Sequence, residues 1–195
     1  EVNWDAEAAE KGGYEHFMIK EIYEQPKAVR ETMSSRLARD DSGIVFDELK
    51  WTKEDAGAIH KVLITACGTA YHAGIVGKYY IEQLARIPVE VDIASEYRYR
   101  APLTDANTLA IVISQSGETS DSLAALKEAK RLGARTLAVT NVVGSSIARE
   151  ADQVIYSWAG PAIAVASTKA YTTQLIGMLM LAVYVGTLRG SLAPE

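Results

Sequence analysis

Residues 114–119 hold three hydroxyl side chains and one glycine between an apolar run and an amphipathic helical pattern. A helix that begins at such a turn presents unpaired main-chain N–H groups and a partial positive charge. Serine and threonine hydroxyls add further donors, so the turn is suited to a small anion. The segment has no lysine and does not match G-x-x-x-x-G-K-S/T, which excludes a nucleotide P-loop. The pattern predicts a cradle for a phosphate carried by a small molecule.

The candidate turns also have ordinary structural interpretations. Serine and threonine are preferred helix caps, so residues 114–119 could simply cap a helix, although they carry more hydroxyls than capping requires. In the turn Cys67-Gly68-Thr69, a thiolate of Cys67 at a helix N-terminus could act as a nucleophile. No histidine or carboxylate stands at an obvious activating position, and cysteine is also a common small buried residue. The sequence favours the structural interpretation of Cys67.

Short apolar strands alternate with helical patterns from residue 61 onward, and these elements must position the turns. Strands are predicted at 61–66, 88–93, 109–113, 136–140 and 153–158. Helices are predicted at 68–84, 121–132, 145–151 and 167–189. Such alternation is typical of a parallel sheet covered on both faces. Ligands bind beyond the carboxyl ends of the strands in these sheets, and residues 67–69, 114–119 and 165–169 fall there.

The residues before 61 have a different pattern. Residues 1–13 are acidic and end in two glycines, so they are interpreted as an interdomain linker. Residues 14–60 are predicted to be an N-terminal helical segment, and 61–195 the α/β domain. Apolar residues recur at helical spacing from Ile22 to Leu37. Pro26 is predicted to begin a new helical segment, because proline inside a helix lacks a donor and kinks it.

Composition excludes several classes of function. A net charge of −5 argues against a nucleic-acid or membrane-surface binder, which would carry a basic patch. A single cysteine leaves no internal disulfide and favours the reducing cytoplasm. The three histidines lack metal-ligand spacing and no G-x-G-x-x-G occurs, so neither a metal nor another cofactor is expected. The apolar run 175–188 is too short to span a bilayer and predicts a buried helix or subunit interface.

The three turns together resemble the signature turns of the sugar isomerase (SIS) domain family. The matching segments are Ala66-Cys67-Gly68-Thr69-Ala70-Tyr71, Ser114-Gln115-Ser116-Gly117-Glu118-Thr119 and Val165-Ala166-Ser167-Thr168-Lys169-Ala170. Segments 20–26 and 94–100 further resemble the isomerising glutamine–fructose-6-phosphate aminotransferases, so the resemblance spans nearly the whole chain. It implies a flavodoxin-like, doubly wound α/β fold with a five-stranded parallel sheet flanked by helices.

The resemblance also implies a set of substrate-binding residues on the three turns. They are Cys67, Gly68, Thr69, Ser114, Gln115, Ser116, Thr119, Val165 and Ser167. The middle turn corresponds to the phosphate-binding turn of the family, and the other two contact the sugar. Ala70 stands where many members have serine, and Ala162 stands where the family usually has glutamate. No catalytic residue of the family falls on this chain.

The function implied by the resemblance belongs to a larger enzyme, of which this chain is expected to be the connecting segment and first SIS domain. Such an enzyme releases ammonia from glutamine in a glutaminase domain and makes glucosamine 6-phosphate from fructose 6-phosphate in two SIS domains. The expected ligands are these two sugar phosphates. The expected partners are the glutaminase domain, the second SIS domain and a second copy in a homodimer.

Catalysis is not expected from this chain alone, because the family's acid–base residues lie outside it. Two alternatives remain open. One is a regulatory SIS module that senses a sugar phosphate without chemistry, and the other is an independent aldose–ketose phosphate isomerase.

Overall fold

The computed structural model describes residues 10–38 and 43–192, so most of the predicted linker lies outside the described part. The helices are α1 (Phe17–Ser34), α2 (Lys53–Gly57), α3 (Gly68–Tyr80), α4 (Ala94–Tyr97), α5 (Ser120–Arg131), α6 (Ser146–Glu150) and α7 (Lys169–Arg189). A π-helical turn, Ile81–Ala85, continues α3. The strands are β1 (Lys61–Ala66), β2 (Val89–Ile93), β3 (Thr108–Ser114), β4 (Arg135–Thr140) and β5 (Gln153–Tyr156).

The five strands form one parallel sheet, as the sequence predicts, and their order is β2-β1-β3-β4-β5. The chain passes from β1 to β2 on one side and then to β3 on the other, so the strand order reverses between β1 and β3. Ala66 at the end of β1 pairs with Ile113, and Ser114 pairs with Thr140. The carboxyl ends of β1, β3 and β4 therefore lie side by side at the switch point, where ligands bind in open α/β sheets.

Both faces of the sheet are covered, and β3 is buried along its whole length. Successive side chains of a strand point to opposite faces. Ile111 accordingly packs in the cluster that includes Met178 and Leu181 of α7, whereas Val112 packs with Leu126 of α5 and Ile147 of α6. Because helices pack against both faces of the sheet, this packing fixes the positions of the strand ends.

Helix α1 is continuous, and the prediction that Pro26 begins a new helical segment is wrong. Pro26 lies inside α1, and its missing N–H leaves the Ile22 carbonyl without its usual intrahelical donor. The side-chain amide of Gln25 donates to that carbonyl at 3.0 Å. The side chain thus replaces the absent main-chain bond, and the helix passes through the proline.

Helix α7 is long enough and apolar enough to cross a membrane by length and composition, at about 31 Å for its 21 residues. The helix is therefore longer than the apolar run 175–188 that predicted it. More than half of its residues are buried, among them Met178, Leu181 and Val185. The helix packs against α1, α3 and the π-helical turn. This burial confirms the prediction of a buried helix.

Candidate functional site

A cavity of about 230 Å³ lies beyond the carboxyl ends of β1 and β3. It is lined by Glu21, Cys67, Thr69, Ala70, Ile113, Ser114, Gln115, Ser116, Thr119, Ala162, Ala164, Val165, Ser167, Thr168, Ala170 and Gln174. Eight of the nine residues that the sequence predicts therefore share one cavity, and Gly68 is the one that does not line it. The switch point of the sheet brings together turns that are about 50 residues apart in the chain.

The turn after β3 is held in shape by its own hydroxyls. The Ser114 hydroxyl accepts from the Gly117 N–H at 3.1 Å and lies 3.0 Å from the Thr119 hydroxyl. The Ser116 hydroxyl accepts from the Glu118 N–H at 3.2 Å. Thr119 is the N-cap of the 12-residue helix α5 and makes no side-chain capping bond. The turn therefore presents hydroxyls and the first N–H groups of α5 at one point, which suits an anion.

The residue after β4 and residues of α6 support this turn. The Gln115 carbonyl accepts from the Asn141 N–H at 3.0 Å, and the Gly117 carbonyl accepts from the Ile147 N–H at 2.9 Å. The Glu118 carboxylate accepts from the Ser146 N–H at 2.8 Å, and hydrogen bonding from Ser146 lowers the pKa of Glu118. Two carbonyls of the turn thus accept from these neighbouring segments, which holds the turn against them.

Gly117 is required by both conformation and space. Its φ of +66° lies in the left-handed region that favours glycine. A Cβ there would lie 2.0 Å from the Ser145 hydroxyl oxygen and 2.9 Å from that of Thr140. Any side chain at this position would therefore push the turn away from β4 and α6.

The turn after β1 is formed by Cys67, the N-cap of α3, and by Gly68, which has a φ of +56°. Cys67 is half-buried, and its sulfur lies 4.0 Å from the Ser122 hydroxyl of α5. In the described part of the chain, no histidine, lysine or arginine bonds to this sulfur. The described hydrogen-bonding neighbour of the sulfur is thus a neutral hydroxyl, and the structural interpretation of Cys67 stays a prediction.

A part of the site that the sequence did not predict comes from α1. Glu21 lines the cavity and is only 3% exposed. Its Oε1 accepts from the Ile163 N–H at 2.7 Å and from the Ala164 N–H at 2.9 Å. These bonds fix the loop between β5 and α7, which carries Val165 to the cavity. The only sequence signal for this role is the family resemblance of segment 20–26.

The same helix also binds the start of α7. Lys169, which is 3% exposed, places its ammonium 2.6 Å from the Glu24 carboxylate, and Thr172 donates to Gln25 at 2.6 Å. The charge of Lys169 is therefore paired with that of Glu24, and Lys169 is not among the residues that line the cavity. Among the described lining residues the one charged side chain is that of Glu21. An anion in this cavity would therefore be bound by neutral hydroxyl, amide and main-chain donors.

The third turn reaches the cavity in a more exposed way. Val165, Ala166 and Ser167 are exposed, and Val165 and Ser167 line the mouth. Ala70 and Ala162 both line the cavity as well, so each presents a methyl group where the family pattern has a polar side chain. Within the described residues, no group of three or more metal-ligating side chains is placed to hold a metal ion.

Five parallel strands in the order 2-1-3-4-5, with a cavity where that order reverses, define a flavodoxin-like doubly wound α/β domain. The model of the SIS domain family matches residues 58–184. The chain belongs to the SIS domain family.

Similarity to individual proteins extends beyond residues 58–184. The glutamine–fructose-6-phosphate aminotransferase (isomerizing) of Caldanaerobacter subterraneus subsp. tengcongensis is 64% identical over 193 residues, which are 99% of this chain and 32% of the relative. The C-terminal domain of glucosamine-fructose-6-phosphate aminotransferase from Francisella tularensis superposes with a TM-score of 0.87 at 43% identity, over 94% of this chain and 51% of that one. Glucosamine-6-phosphate deaminase from Thermotoga maritima shares the fold, with a TM-score of 0.71 at 21% identity, over 88% and 49%. The chain spans about a third of the length of the curated aminotransferases that it matches.

Proposed function

We propose that this chain is the sugar-phosphate-binding first SIS domain of a glutamine–fructose-6-phosphate aminotransferase and that it binds fructose 6-phosphate or glucosamine 6-phosphate. The observation that carries the proposal is the meeting of three family turns in one cavity, in a chain 64% identical to such an enzyme along its length. The division into residues 14–60 and 61–195 stays a prediction.

The phosphate is proposed to occupy the turn after β3. Ser114, Gln115, Ser116 and Thr119 contribute hydroxyl, amide and main-chain donors, and the N-terminus of α5 adds its partial positive charge. No lysine is needed, since these donors together satisfy several phosphate oxygens. This arrangement orients the sugar toward the other two turns.

The sugar is proposed to lie between the turn after β1 and the loop before α7. Cys67 and Thr69 line one side of the cavity, and Val165 and Ser167 line the other. Gly68 does not line the cavity, and its proposed role is to allow the sharp turn that brings Thr69 there. Neutral polar groups along the sugar match its hydroxyls.

The complete reaction is proposed for the longer enzyme and not for this chain. Moving a proton between adjacent sugar carbons requires a general acid and a general base with pKa values near the working pH. Among the described lining residues, Glu21 and Cys67 are titratable, and Glu21 already accepts two main-chain N–H groups. We therefore expect binding without turnover, with the glutaminase domain and the second SIS domain as the partners that complete the reaction in the cytoplasm.

A homodimer is the remaining part of the proposal. Helix α1 and Tyr14, three residues before it, expose several large apolar side chains: Tyr14, Met18, Ile19, Ile22 and Tyr23. Exposed apolar patches of this kind are typical of protein interfaces. A second copy of the chain would cover them.

A titration followed by amide chemical shifts tests the binding proposal. Fructose 6-phosphate is expected to shift the amides of residues 114–119 at millimolar concentration or below, whereas fructose without phosphate leaves them in place. The same sample should form no glucosamine 6-phosphate from ammonia and fructose 6-phosphate. If the amide chemical shifts of residues 114–119 do not change when fructose 6-phosphate is added, the assignment of the phosphate to this turn is wrong.

A further inference from the structure

Gln174 on the second turn of α7 has a buried oxygen without a partner. The side chain is 3% exposed and lines the cavity, and its Oε1 makes no hydrogen bond with any described residue. Buried polar atoms are almost always paired, because desolvation of an unpaired acceptor costs free energy. An unpaired buried oxygen on a residue that lines a cavity thus points to a donor that arrives with a ligand.

Neighbouring polar side chains of α7 are satisfied within the fold. The Thr173 hydroxyl donates to the Ala170 carbonyl at 3.0 Å, and the Thr172 hydroxyl donates to Gln25 at 2.6 Å. Thr168, the N-cap of α7, behaves like Gln174: it lines the cavity, makes no capping bond, and its hydroxyl is buried without a partner. The unpaired atoms of α7 are therefore the ones on its cavity side.

The chemistry of the unpaired atom selects the part of the ligand that it meets. A carbonyl oxygen only accepts, and a phosphate dianion has no proton to offer. The phosphate also has its own donors on the turn after β3. A hydroxyl or an amino group of a sugar is the partner that a carbonyl oxygen requires.

We propose that Gln174 is a specificity-determining residue whose Oε1 accepts a hydrogen bond from a hydroxyl or amino group of the bound sugar. The inference rests on the proposed sugar-phosphate function and assigns it a contact on α7. Thr168 stands beside the same region and is available to a second polar group of the ligand.

Two ligands separate the sugar contact from the phosphate contact. Inorganic phosphate probes the turn after β3 alone, and fructose 6-phosphate probes the turn and the sugar together. The variant Gln174→Met keeps the side-chain length and removes the acceptor. We expect its affinity for fructose 6-phosphate to fall about tenfold, with the affinity for inorganic phosphate unchanged. Its melting temperature should not fall, because an unpaired buried oxygen has been removed.

Two further variants serve as a control and as a second test of the sugar contact. Thr173→Val removes the adjacent buried hydroxyl, which does not line the cavity, and should leave both affinities as they are. Gln174→Asn keeps the amide but withdraws it by one methylene group, so it should also weaken fructose 6-phosphate selectively. It supplies the same comparison if Gln174→Met does not fold.

Each other outcome has a definite meaning. Unchanged affinity of the Gln174 variants for fructose 6-phosphate overturns the inference and leaves the proposed function standing. An equal loss for inorganic phosphate overturns it too, because the amide would then serve the phosphate. A wild-type chain that binds neither ligand overturns the proposed function itself, and the inference with it.

Discussion

The carboxylate of Glu21 accepts a hydrogen bond from the main-chain N–H of Ala164 at 2.9 Å, and the two residues are 143 positions apart. The contact joins the first helix to the loop that forms one wall of the cavity. The wall therefore depends on a helix that lies outside the region matched by the SIS family model.

Replacing Glu21 tests whether α1 positions this wall. Glu21→Leu leaves two N–H groups without an acceptor and should destabilise the chain by about 1–3 kcal/mol. It should also weaken fructose 6-phosphate several-fold, since the loop loses its anchor. Glu21→Gln retains an acceptor and should lose less stability and less affinity than Glu21→Leu. Urea unfolding and calorimetric titration measure the two effects.

Glu31 supplies the matched control for that experiment. It lies on the exposed side of α1, and among the described residues its carboxylate pairs with Lys27, at 3.7 Å. Glu31→Leu should change neither stability nor affinity by a comparable amount. If Glu21→Leu binds the sugar phosphate as tightly as wild type, the positioning role is wrong.

Gly117 and Gly144 form a natural pair for testing the turn after β3. Both have positive φ, +66° and +72°, but a Cβ at Gly117 would meet Ser145 at 2.0 Å while one at Gly144 would meet nothing within 4 Å. Gly144→Ala should cost about 1 kcal/mol from backbone strain alone. Gly117→Ala should cost clearly more and abolish binding of inorganic phosphate. Equal losses in the two variants would contradict the steric argument.

Asp152 gives a prediction on pH. Burial raises the pKa of its carboxyl group, but hydrogen bonds from Thr136 and the charge of Lys130 outweigh burial, so the pKa is lower than the usual 3.8. A lowered pKa in the folded state stabilises the fold above the unfolded-state pKa, and this contribution is lost as the pH falls through the folded-state value. Asp152→Asn should therefore destabilise the chain by less than about 1 kcal/mol at pH 7, since the bonds from Thr136 weaken but solvent screens this partly exposed carboxylate.

The difference between wild type and Asp152→Asn should shrink as the pH falls below 3.8 toward the lowered folded-state pKa, because the unfolded chain takes up the proton first. Urea unfolding at pH 7, 5 and 3 measures this. A constant difference at all three pH values would rule out the titration of Asp152 as the cause.

Self-association should depend on the exposed side of α1. Tyr23 is 66% exposed and Met18 is 45% exposed, and Tyr23 stacks on Tyr14 at 5.8 Å between ring centroids. Sedimentation at high concentration should show a dimer for the wild-type chain and a monomer for the double variant Met18→Glu, Tyr23→Glu. A wild-type monomer, or a variant that still dimerises, would count against an interface on this helix.

Much of the fold follows from local sequence because each strand is a short apolar run and each turn stands at a strand end. Parallel strands place their carboxyl ends together, so Ser114, Thr119 and Cys67 could be assigned to one site from their positions alone. The boundaries of the strands shift by a residue or two, as at β5, which ends at Tyr156.

The contributions of α1 and of α7 could not be predicted in this way. A glutamate in an amphipathic helix is ordinarily solvated, and only the long-range contact with Ile163 and Ala164 makes Glu21 part of the site. Gln174 is one of several polar residues in the first two turns of α7, and their spacing does not tell which of them lines a cavity. These roles arise from packing between distant elements, which sequence spacing does not encode.

The proline inside α1 makes one side chain serve two helices. The Gln25 amide donates to the Ile22 carbonyl that Pro26 leaves without a main-chain donor, and its oxygen accepts from Thr172 of α7 at 2.6 Å. A change at position 25 would therefore remove a bond within α1 and a bond between α1 and α7 at once.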